Sequence, residues 1–500
     1  MIRYEQDHHD FGAVVEQVKA YQQYGRRTAY EVCLKLEECR TLMGPYQDPL
    51  GKGWLQRKFN FLFNKLLWRQ HTFNQKILRG LQDALLMLPE IDRNAPDRPM
   101  LGVLVPYDIA ENTTGGSARL WGLCEALAEY YRIQVLTVVR WWKAPEHKLI
   151  YPGVELFSFP MPAPVENEIE RNAAQLGNAS PFLSMIDPAY AFAALDGYLA
   201  TMGPQYRAII MDSPYLFDRL RKACPRVPLI YETPNVNIEF FGRMAGDKRE
   251  VAIPRLKEVE ARAITDARFV MCVCDRDREV IVGHYPVAKD KIHVVPNGVS
   301  VLHSCRTRPS ESVRLAESHG LRKPAILFIG SVLEANIKAM DFIINQLAPA
   351  RADALWIIVG ISWRQYVECG GAGSIPSNVV FTGRISESEK EAVMALSCLA
   401  IAPMEIGTGS SLKIPDYIAH GKPVMATTIG LRGFEHLAGS VDVVELDGFA
   451  AAIARRLDDL SKNTAALDAR TDLAFESVRQ SLDWPVMARQ VQTLIEANVS

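Results

Sequence analysis

Two kinds of hydrophobic pattern alternate along most of this chain. From residue 100 onward, short continuous apolar runs, such as residues 101–105 and 133–139, are separated by longer segments with helical spacing. Such runs are typical of strands that are buried on both faces of a sheet, and the segments between them are typical of covering helices. Further strands of this first series are predicted at residues 208–211, 229–231, 269–273 and 293–295.

A second series of apolar runs begins after about residue 305. It predicts strands at residues 325–329, 355–359, 379–381, 399–402, 424–426 and 441–444. Because strands alternate with helices in both series, the pattern predicts an α/β fold with two doubly wound, parallel-sheet domains. In such domains ligands bind at the carboxyl ends of the strands, so we expect a site in the cleft between the two domains.

The first 95 residues differ from the rest and predict an α-helical extension. Residues 11–43 carry helical apolar spacing, and residues 49–82 contain no acidic side chain. Within residues 52–79, aromatic side chains are interleaved with basic ones, which are Lys52, Arg57, Lys58, Lys65, Arg69, Lys76 and Arg79. A basic, aromatic-rich helix can lie in an anionic membrane interface. Alternatively, its aromatic side chains pack on the main body of the protein while its basic side chains face water.

Composition and charge narrow the class of protein. The chain has 500 residues, of which 48% are hydrophobic and 23% are charged, and these values are ordinary for a soluble globular protein. Its formal net charge of -2 gives no general attraction for nucleic acid. The nine cysteines are scattered, which favours reduced thiols. No signal peptide and no apolar run long enough to span a membrane is visible, so we expect a cytoplasmic protein that is at most peripheral at the inner face of the cell membrane.

The segment from residue 407 to residue 427 carries the strongest chemical signal. Glycines open it, and they permit the backbone to approach a ligand closely. Two serines are predicted to cap the helix that follows, a lysine adds positive charge, and an acid lies about two helical turns from the loop, at a distance that suits a ribose. These features predict a site for a nucleotide diphosphate, formed by Gly407, Thr408, Gly409, Ser410, Ser411, Leu412, Lys413 and Asp416.

Other segments, in order along the chain, carry a family resemblance. They are Asn-Thr-Thr-Gly-Gly-Ser at 112–117, Tyr-Glu-Thr-Pro-Asn-Val at 231–236, Val-Pro-Asn-Gly-Val at 295–299, Phe-Ile-Gly-Ser at 328–331 and Phe-Thr-Gly-Arg at 381–384. Together with the glycine-rich segment, they make residues from about 100 to 490 resemble the family-four glycosyltransferases, which are retaining enzymes of the GT-B fold. The resemblance implies two Rossmann-like domains that face a cleft.

The resemblance and the change of pattern divide the chain into four parts. Residues 1–95 form the predicted helical extension, and residues 96–300 form the first Rossmann-like domain, on the acceptor side. Residues 301–480 form the second Rossmann-like domain, which the resemblance assigns to the nucleotide sugar. The resemblance also implies that residues 481–500 form a helix that packs back on the first domain.

The resemblance assigns donor-binding residues outside the glycine-rich segment as well. Gly115 and Gly116 stand in the glycine loop of the first domain, and Arg384 stands in a segment near the nucleobase. Ser331 occupies the position at which the family has a phosphate-binding arginine, and Lys338 is the candidate for the family's phosphate-binding lysine.

The predicted catalytic residues are Asp212 and Glu405, and both are linked to departures from the family pattern. Asp212 stands where the family has a histidine near the transferred sugar. Asp416 matches the second acid of the family's E-x7-E motif, whereas the first position holds Thr408 and the nearest acid is Glu405. Glu232 is a further candidate for orienting an acceptor hydroxyl.

The resemblance implies a retaining glycosyltransferase that moves a sugar from a nucleotide-diphosphate sugar to a glycan or lipid-linked acceptor in bacterial surface polysaccharide assembly. Neither a metal nor a cofactor is expected. The expected partners are the nucleotide sugar and the acceptor, with the membrane surface (through residues 52–79) and a second copy of the chain as open alternatives. The departures leave two other functions open: an inactive GT-B scaffold that binds nucleotide sugar or glycan, and a GT-B relative such as a nucleotide-sugar epimerase.

Overall fold

The computed structural model describes residues 98–110, 115–176, 184–186, 190–244, 249–301, 304, 306–371, 374–407 and 409–499. The predicted extension at residues 1–95, including its basic segment 52–79, lies outside the described residues. Thr408 and residues 112–114 of the predicted glycine loop lie outside them too. Within the described part of the chain, no helix is long and apolar enough to cross a membrane.

Among the described residues, eight strands form the first sheet. They are β1 (Met100–Val105), β2 (Arg132–Val139), β3 (Glu146–Tyr151), β4 (Val154–Pro160), β5 (Tyr206–Asp212), β6 (Leu229–Thr233), β7 (Phe269–Cys272) and β8 (Ile292–Val294). Their spatial order is β3-β4-β2-β1-β5-β6-β7-β8, and β3 pairs with β4 in the antiparallel sense while the other pairs are parallel. The apolar runs predicted six of these strands, but not β3 and β4.

Helices cover both faces of this sheet. They are α1 (Gly115–Leu127), α2 (Ala163–Leu176), α3 (Ala193–Met202), α4 (Phe217–Ala223), α5 (Asn237–Met244), α6 (Arg249–Asp266) and α7 (Asp275–His284), with 3-10 turns at Gly203–Gln205 and Lys289–Lys291. Ile209 and Ile210, which are neighbours in β5, belong to different buried clusters on the two sides of the sheet. Alternate residues of one strand point to opposite faces, so a doubly covered strand must be apolar at every position.

The second sheet has six strands within the described residues, all in parallel pairs. They are β9 (Ala325–Ile329), β10 (Leu355–Val359), β11 (Val379–Gly383), β12 (Ser397–Ala402), β13 (Val424–Ala426) and β14 (Asp442–Val443). Their spatial order is β11-β10-β9-β12-β13-β14. All six coincide with apolar runs in the sequence, and β14 is shorter than the run that predicted it.

The helices of the second domain follow the same alternation. They are α8 (Pro309–Ser318), α9 (Glu334–Phe342), α10 (Trp363–Glu368), α11 (Glu387–Leu396), α12 (Lys413–Ala419), α13 (Leu446–Lys462) and α14 (Thr464–Ser481). A π-helical turn at Ile343–Leu347 and a short helical turn at Ala348–Ala350 continue α9, and a 3-10 turn spans Glu435–Leu437. Two Rossmann-like α/β domains therefore follow one another, which confirms the predicted fold class for the described part of the chain.

The order of the strands identifies, in each sheet, the crevice at which doubly wound sheets usually bind ligands. In the second sheet, β9 lies between β10 and β12. The strands that directly follow β9 in the chain, β10 and β11, lie on one side of it, and β12 to β14 lie on the other. In the first sheet, β1 and β5 have the same relation. The chain reverses its direction of winding at these two points, and the crevice at the carboxyl ends of such strands is the usual ligand site of doubly wound sheets.

A last helix, α15 (Trp484–Asn498), returns to the first domain. Its residues Met487, Val491 and Ile495 are buried in the same apolar cluster as strand β1. Trp484 fits against Gly122 of α1 and against Gly298, because a methyl group on either glycine would overlap the indole ring. The two glycines thus provide the space in which the C-terminal helix is held.

Substitution of Gly122 by alanine is expected to destabilise the protein by about 2 kcal/mol, because the new methyl group would displace the Trp484 ring from a close-packed position. Calorimetric melting of the full chain would measure this. Gly197→Ala in α3 is the matched control, since a methyl group there meets no atom within 4 Å. The control should keep or slightly raise the melting temperature, and equal melting temperatures for the two variants would contradict the packing role of Gly122.

Candidate functional site

At the carboxyl end of β5, the first domain presents a buried acid. Asp212 is 1% exposed, and the hydroxyl of Ser213 donates a hydrogen bond of 3.1 Å to its Oδ1. Its Oδ2 has no hydrogen-bond partner among the described residues. Ser213 has a φ of 64°, the left-handed region that a residue other than glycine rarely occupies. A strained backbone beside a buried, unsatisfied carboxylate is typical of a functional site.

Burial raises the pKa of Asp212 to about 7. The nearby hydroxyls of Tyr107 and Ser213 oppose this rise, whereas the negative charge of Glu232 adds to it. Burial and the charge of Asp212 also raise the pKa of Tyr107. Tyr107 follows β1 at the same switch point of the sheet, and the motif analysis did not identify it.

An ion pair with almost no solvent exposure lies beside Asp212. Arg119 of α1 donates from Nε to Oε1 of Glu232 at 2.6 Å, and the side chains are 1% and 0% exposed. Arg119 also donates from Nη1 to the carbonyl of Pro296 at 2.9 Å and to Oδ1 of Asn297 at 3.3 Å. One guanidinium group therefore joins α1, the end of β6 and the segment that leads to the second domain.

The same polar chain continues across the cleft. Nδ2 of Asn297 donates to the hydroxyl of Ser410 at 2.5 Å. Gly409 has a φ of 58°, and a Cβ atom there would lie 2.7 Å from Oδ1 of Asn235. The glycine-rich loop of the second domain thus contacts both the loop after β6 and the segment after β8.

Lys413 is the predicted phosphate-binding lysine of this loop, and it lies inside the second domain. Its Nζ donates to Oδ1 of Asn336 at 3.0 Å and lies 4.3 Å from the centre of the Phe328 ring. Asn336 in turn donates from Nδ2 to the carbonyl of Ser331 at 3.1 Å. Burial, and next the positive charge of Arg432, lower the pKa of Lys413 to about 7.

Arg432 is a site residue that the sequence analysis missed. Its guanidinium group lies against Gly407, where a methyl group would overlap it. Its Nη1 donates to the carbonyl of Ile429 at 2.8 Å, and its own carbonyl accepts from the amide of Ser411 at 3.2 Å. The only sequence signal is an arginine inside the Gly430-Leu-Arg-Gly433 turn that follows β13.

Asp416, the predicted ribose-binding acid, has two basic side chains beside it. Its Oδ2 lies 3.3 Å from Nζ of Lys390 on α11, and its Oδ1 lies 3.4 Å from Nδ1 of His420. Burial favours the neutral carboxyl, but the charges of Lys390 and His420 outweigh burial, so the pKa of Asp416 is lowered overall. The carboxylate remains 24% exposed, which leaves part of it accessible to a ligand.

The remaining predicted donor-site residues are spread around the cleft. Gly115 and Gly116 form the first turn of α1, and a Cβ atom on Gly115 would lie 2.5 Å from Cδ1 of Leu412. Ser331, Arg384 and the catalytic candidate Glu405 are exposed in the loops after β9, β11 and β12, respectively. Lys338 is 42% exposed and pairs with Glu334, on the same helix, at 3.5 Å.

One local expectation is wrong. Helix α12 begins at Lys413, its N-cap is Leu412, and neither Ser410 nor Ser411 caps it with a side chain. The reason is that both serines have other contacts: the Ser410 hydroxyl accepts from Asn297, and the Ser411 amide donates to the carbonyl of Arg432. These serines join parts of the site to one another.

Within the described part of the chain, no group of three or more His, Cys, Asp or Glu side chains is placed to hold a metal ion. Beside the cleft, the second domain holds two basic side chains, Lys413 and Arg432, and the first domain holds two buried acids, Asp212 and Glu232. This division of charge is the main electrostatic feature of the candidate site.

Comparison with known proteins relates this geometry to a family. Residues 323–460 match the family described as Glycosyl transferases group 1. The matched region contains β9–β14 and the glycine-rich loop, so the resemblance to glycosyltransferases is confirmed there. The assignment to family four and the retaining mechanism stay predictions.

Part of this chain is similar in sequence to a curated relative. It is the phosphatidyl-myo-inositol mannosyltransferase of Mycobacterium leprae (strain TN), which is 26% identical over 205 residues, 40% of this chain and 52% of the relative. The chain therefore matches about half the length of this relative.

Solved structures show that the fold is GT-B. The sucrose-phosphate synthase of Thermosynechococcus elongatus has a TM-score of 0.60 and 15% identity, and covers 80% of this chain and 99% of its own. Anabaena HepE in complex with UDP-glucose has a TM-score of 0.55 and 14% identity, and covers 79% and 99%. The UDP-forming trehalose-phosphate synthase of Burkholderia xenovorans, in complex with glucose-6-phosphate, has a TM-score of 0.56 and 11% sequence identity. The match covers 80% of this chain and 100% of the synthase.

Glu232→Gln is expected to lower the free energy of unfolding by about 3 kcal/mol or more, because it leaves the Arg119 charge buried without a counterion. Urea unfolding would measure the loss. The double variant Arg119→Met with Glu232→Met removes both charges and should lose less than either single methionine variant. Single variants that lose no more than the double variant would contradict the importance of the pair.

Asp212→Asn should stabilise the protein increasingly as pH rises from about 4 to about 7, relative to wild type. The folded-state pKa of Asp212 is raised from 3.8 to about 7, so ionisation costs stability in this window, and the cost is fully present above pH 7. Asparagine does not titrate and avoids the cost. Urea unfolding of both proteins at pH 5 and at pH 8 tests this; a difference that does not change with pH would show that Asp212 titrates normally.

Proposed function

We propose that this protein is a retaining glycosyltransferase that moves a sugar from a nucleotide-diphosphate sugar to a glycan or lipid-linked acceptor. The observation that carries this proposal is that the glycine-rich loop of the second domain contacts the segments of the first domain that follow β6 and β8. The cations Lys413 and Arg432 lie around the glycine-rich loop, and the acids Asp212 and Glu232 lie at the carboxyl ends of β5 and β6. The group 1 glycosyltransferase match and the GT-B fold support it.

Glycosyl transfer requires stabilisation of the leaving group more than a strong nucleophile. The transition state resembles an oxocarbenium ion, while negative charge grows on the departing diphosphate. Fixed donors near that diphosphate lower the barrier. In this chain Lys413, Arg432 and the backbone of the Gly407–Ser411 loop would supply them, so the proposed reaction uses no metal.

The acids of the first domain suit the sugar and the acceptor. Oδ2 of Asp212 can accept a hydrogen bond from a hydroxyl, and a carboxyl group with a pKa near 7 can exchange a proton at neutral pH. Glu232 is held by Arg119, and its negative charge adds to the effect of burial in raising the pKa of Asp212. Exposed Glu405 lies after β12, on the other side of the cleft, and remains the second catalytic candidate.

Residues on the donor side divide by part of the donor. Asp416 would accept from the ribose, while Ser331, Lys338 and Arg384 lie on loops or helices around the same end of the second sheet. The first turn of α1 at Gly115 and Gly116 contacts Leu412 and would close the site from the first domain.

The finer elements of the proposal concern the setting of the reaction. We propose a role in bacterial surface polysaccharide assembly, at the cytoplasmic face of the cell membrane. UDP-glucose bound to HepE supports a nucleotide-diphosphate sugar as donor, and the phosphatidyl-myo-inositol in the name of the mycobacterial relative supports an acceptor at a membrane. Residues 52–79 would contact that membrane.

A second function, an inactive scaffold that binds nucleotide sugar or glycan, has two observations in its favour. Asp416 is already engaged by Lys390 and His420, and Lys338 pairs with Glu334. A scaffold would bind donor and neither hydrolyse nor transfer its sugar.

Calorimetric titration with UDP, GDP, ADP and dTDP, with and without magnesium, tests the donor site. We expect one nucleotide to bind without metal, and Asp416→Ala to weaken its binding at least about tenfold through loss of a charge-assisted hydrogen bond. Asp458→Ala, which changes an exposed acid of α13 that pairs with Lys462, is the matched control and should bind as the wild type does.

The corresponding nucleotide sugar, incubated with the protein alone and with acceptors, separates the functions. Slow hydrolysis or transfer that is lost in Asp416→Ala would exclude the scaffold. Binding of no nucleotide would overturn the glycosyltransferase proposal, and a new nucleotide sugar formed without acceptor would indicate an epimerase.

A further inference from the structure

The ammonium group of Lys413 is surrounded by neutral groups. Its polar contacts are Oδ1 of Asn336 at 3.0 Å and the sulfur of Met404 at 3.7 Å, and it lies 4.3 Å from the centre of the Phe328 ring. In the part of the chain that the structure describes, no carboxylate lies within 4.0 Å of it. A buried lysine without a counterion favours its neutral form.

The charged groups on the elements around Lys413 do not compensate it. Arg432, in the turn after β13, is a second cation, and its charge favours the neutral form of Lys413. On α12 itself, Asp416 is engaged by Lys390 of α11 and by His420. The nearest residue of α9 that contacts the ammonium, Asn336, is neutral.

Two acids remain to be considered near this cluster. Glu405, in the loop after β12, is exposed. Across the cleft, Asp277 of α7 is buried, and burial raises the pKa of its carboxyl group to about 6. The positive charge of Arg432 acts in the opposite direction but is a smaller effect. Neither acid lies within ion-pair distance of Lys413, so the ammonium lacks the anion that a buried cation needs.

We infer that Lys413 takes up a proton when the diphosphate of the donor binds between it and Arg432. The proton passes from the solution to the lone pair of Nζ, and no bond of the donor forms or breaks in this step. The inference rests on the proposed function, because it takes a nucleotide diphosphate as the ligand, and it adds a regulation by pH to that site.

The direction of the pH dependence follows from the two states of Lys413. In the free protein its pKa is about 7, and a neighbouring diphosphate raises it by favouring the charged form. Binding therefore consumes a proton at pH values above about 7, and donor affinity should fall by up to about tenfold per pH unit there.

Calorimetry of the full chain at pH 8, in buffers with different enthalpies of ionisation, measures the number of protons taken up. The probes are UDP-glucose, GDP-mannose, ADP-glucose and dTDP-glucose, because both of their phosphates are esterified and do not titrate near neutral pH. We expect uptake of nearly one proton per bound donor, since a lysine with a pKa of about 7 is about nine-tenths neutral at pH 8.

Three variants assign the proton. Lys413→Arg carries a permanent charge and should bind the donor without proton uptake. Arg432→Gln removes the charge that lowers the pKa of Lys413, so it should weaken binding and also reduce the uptake at pH 8. Lys462→Met, a change of a lysine that is 74% exposed on α13, should leave affinity and uptake unchanged. Melting curves of all variants verify that they are folded.

The outcomes separate this inference from the proposed function. Binding without proton uptake, or uptake that persists in Lys413→Arg, would overturn the inference and leave the proposed function standing. Binding of none of the four nucleotide sugars would overturn both. Uptake that disappears in Lys413→Arg and is reduced in Arg432→Gln would establish the coupling.

Discussion

The position of one guanidinium group holds the two halves of this site in register. Arg119 is 1% exposed, so its charge must be satisfied by protein, and its partners come from β6 and from the segment after β8. Through Asn297 the same network reaches Ser410 of the second domain. A buried charge tolerates little displacement of its partners, because an unmet hydrogen bond in a low-dielectric interior is costly. The mutual position of α1, the interdomain segment and the glycine-rich loop therefore depends on Arg119.

With that register fixed, the cleft is electrically divided. Its first-domain side carries Asp212 and Glu232, and only Glu232 has a close cationic partner. Its second-domain side carries Lys413 and Arg432, whose mutual repulsion contributes to the low pKa of Lys413. A nucleotide-diphosphate sugar has its negative charge at one end of the transferred sugar and neutral hydroxyls at the other, so in the proposed function this division would orient it with the diphosphate on the second domain.

The sequence predicted what depends on local pattern and missed what depends on the meeting of distant segments. Strands β9 to β13 were predicted because burial on both faces favours apolar residues. Strand β3, in contrast, is an exposed edge strand whose first three residues are polar, and it gave no continuous apolar run. The glycine-rich loop was evident from its residues alone. Arg432 was not, because its contact with Gly407 arises only when the turn after β13 folds beside the loop after β12. The ion pair between Asp416 and Lys390 was not predicted either, because it forms only when helices α12 and α11 pack side by side.

Two lysines of the second domain show how environment, not residue type, divides structural charge from functional charge. Lys390 has carboxylates from Glu387 and Asp416 beside it, and although burial alone would lower its pKa, these charges raise it. It therefore stays charged at any physiological pH and fixes Asp416 in place. Lys413, one strand away, has only neutral partners, and its pKa is lowered to about 7. An arriving anion gains little from Lys390, whose charge is already compensated, and much from Lys413. In the proposed site, Lys413 would therefore supply positive charge to the leaving diphosphate, whereas Lys390 would hold the ribose-binding acid in place.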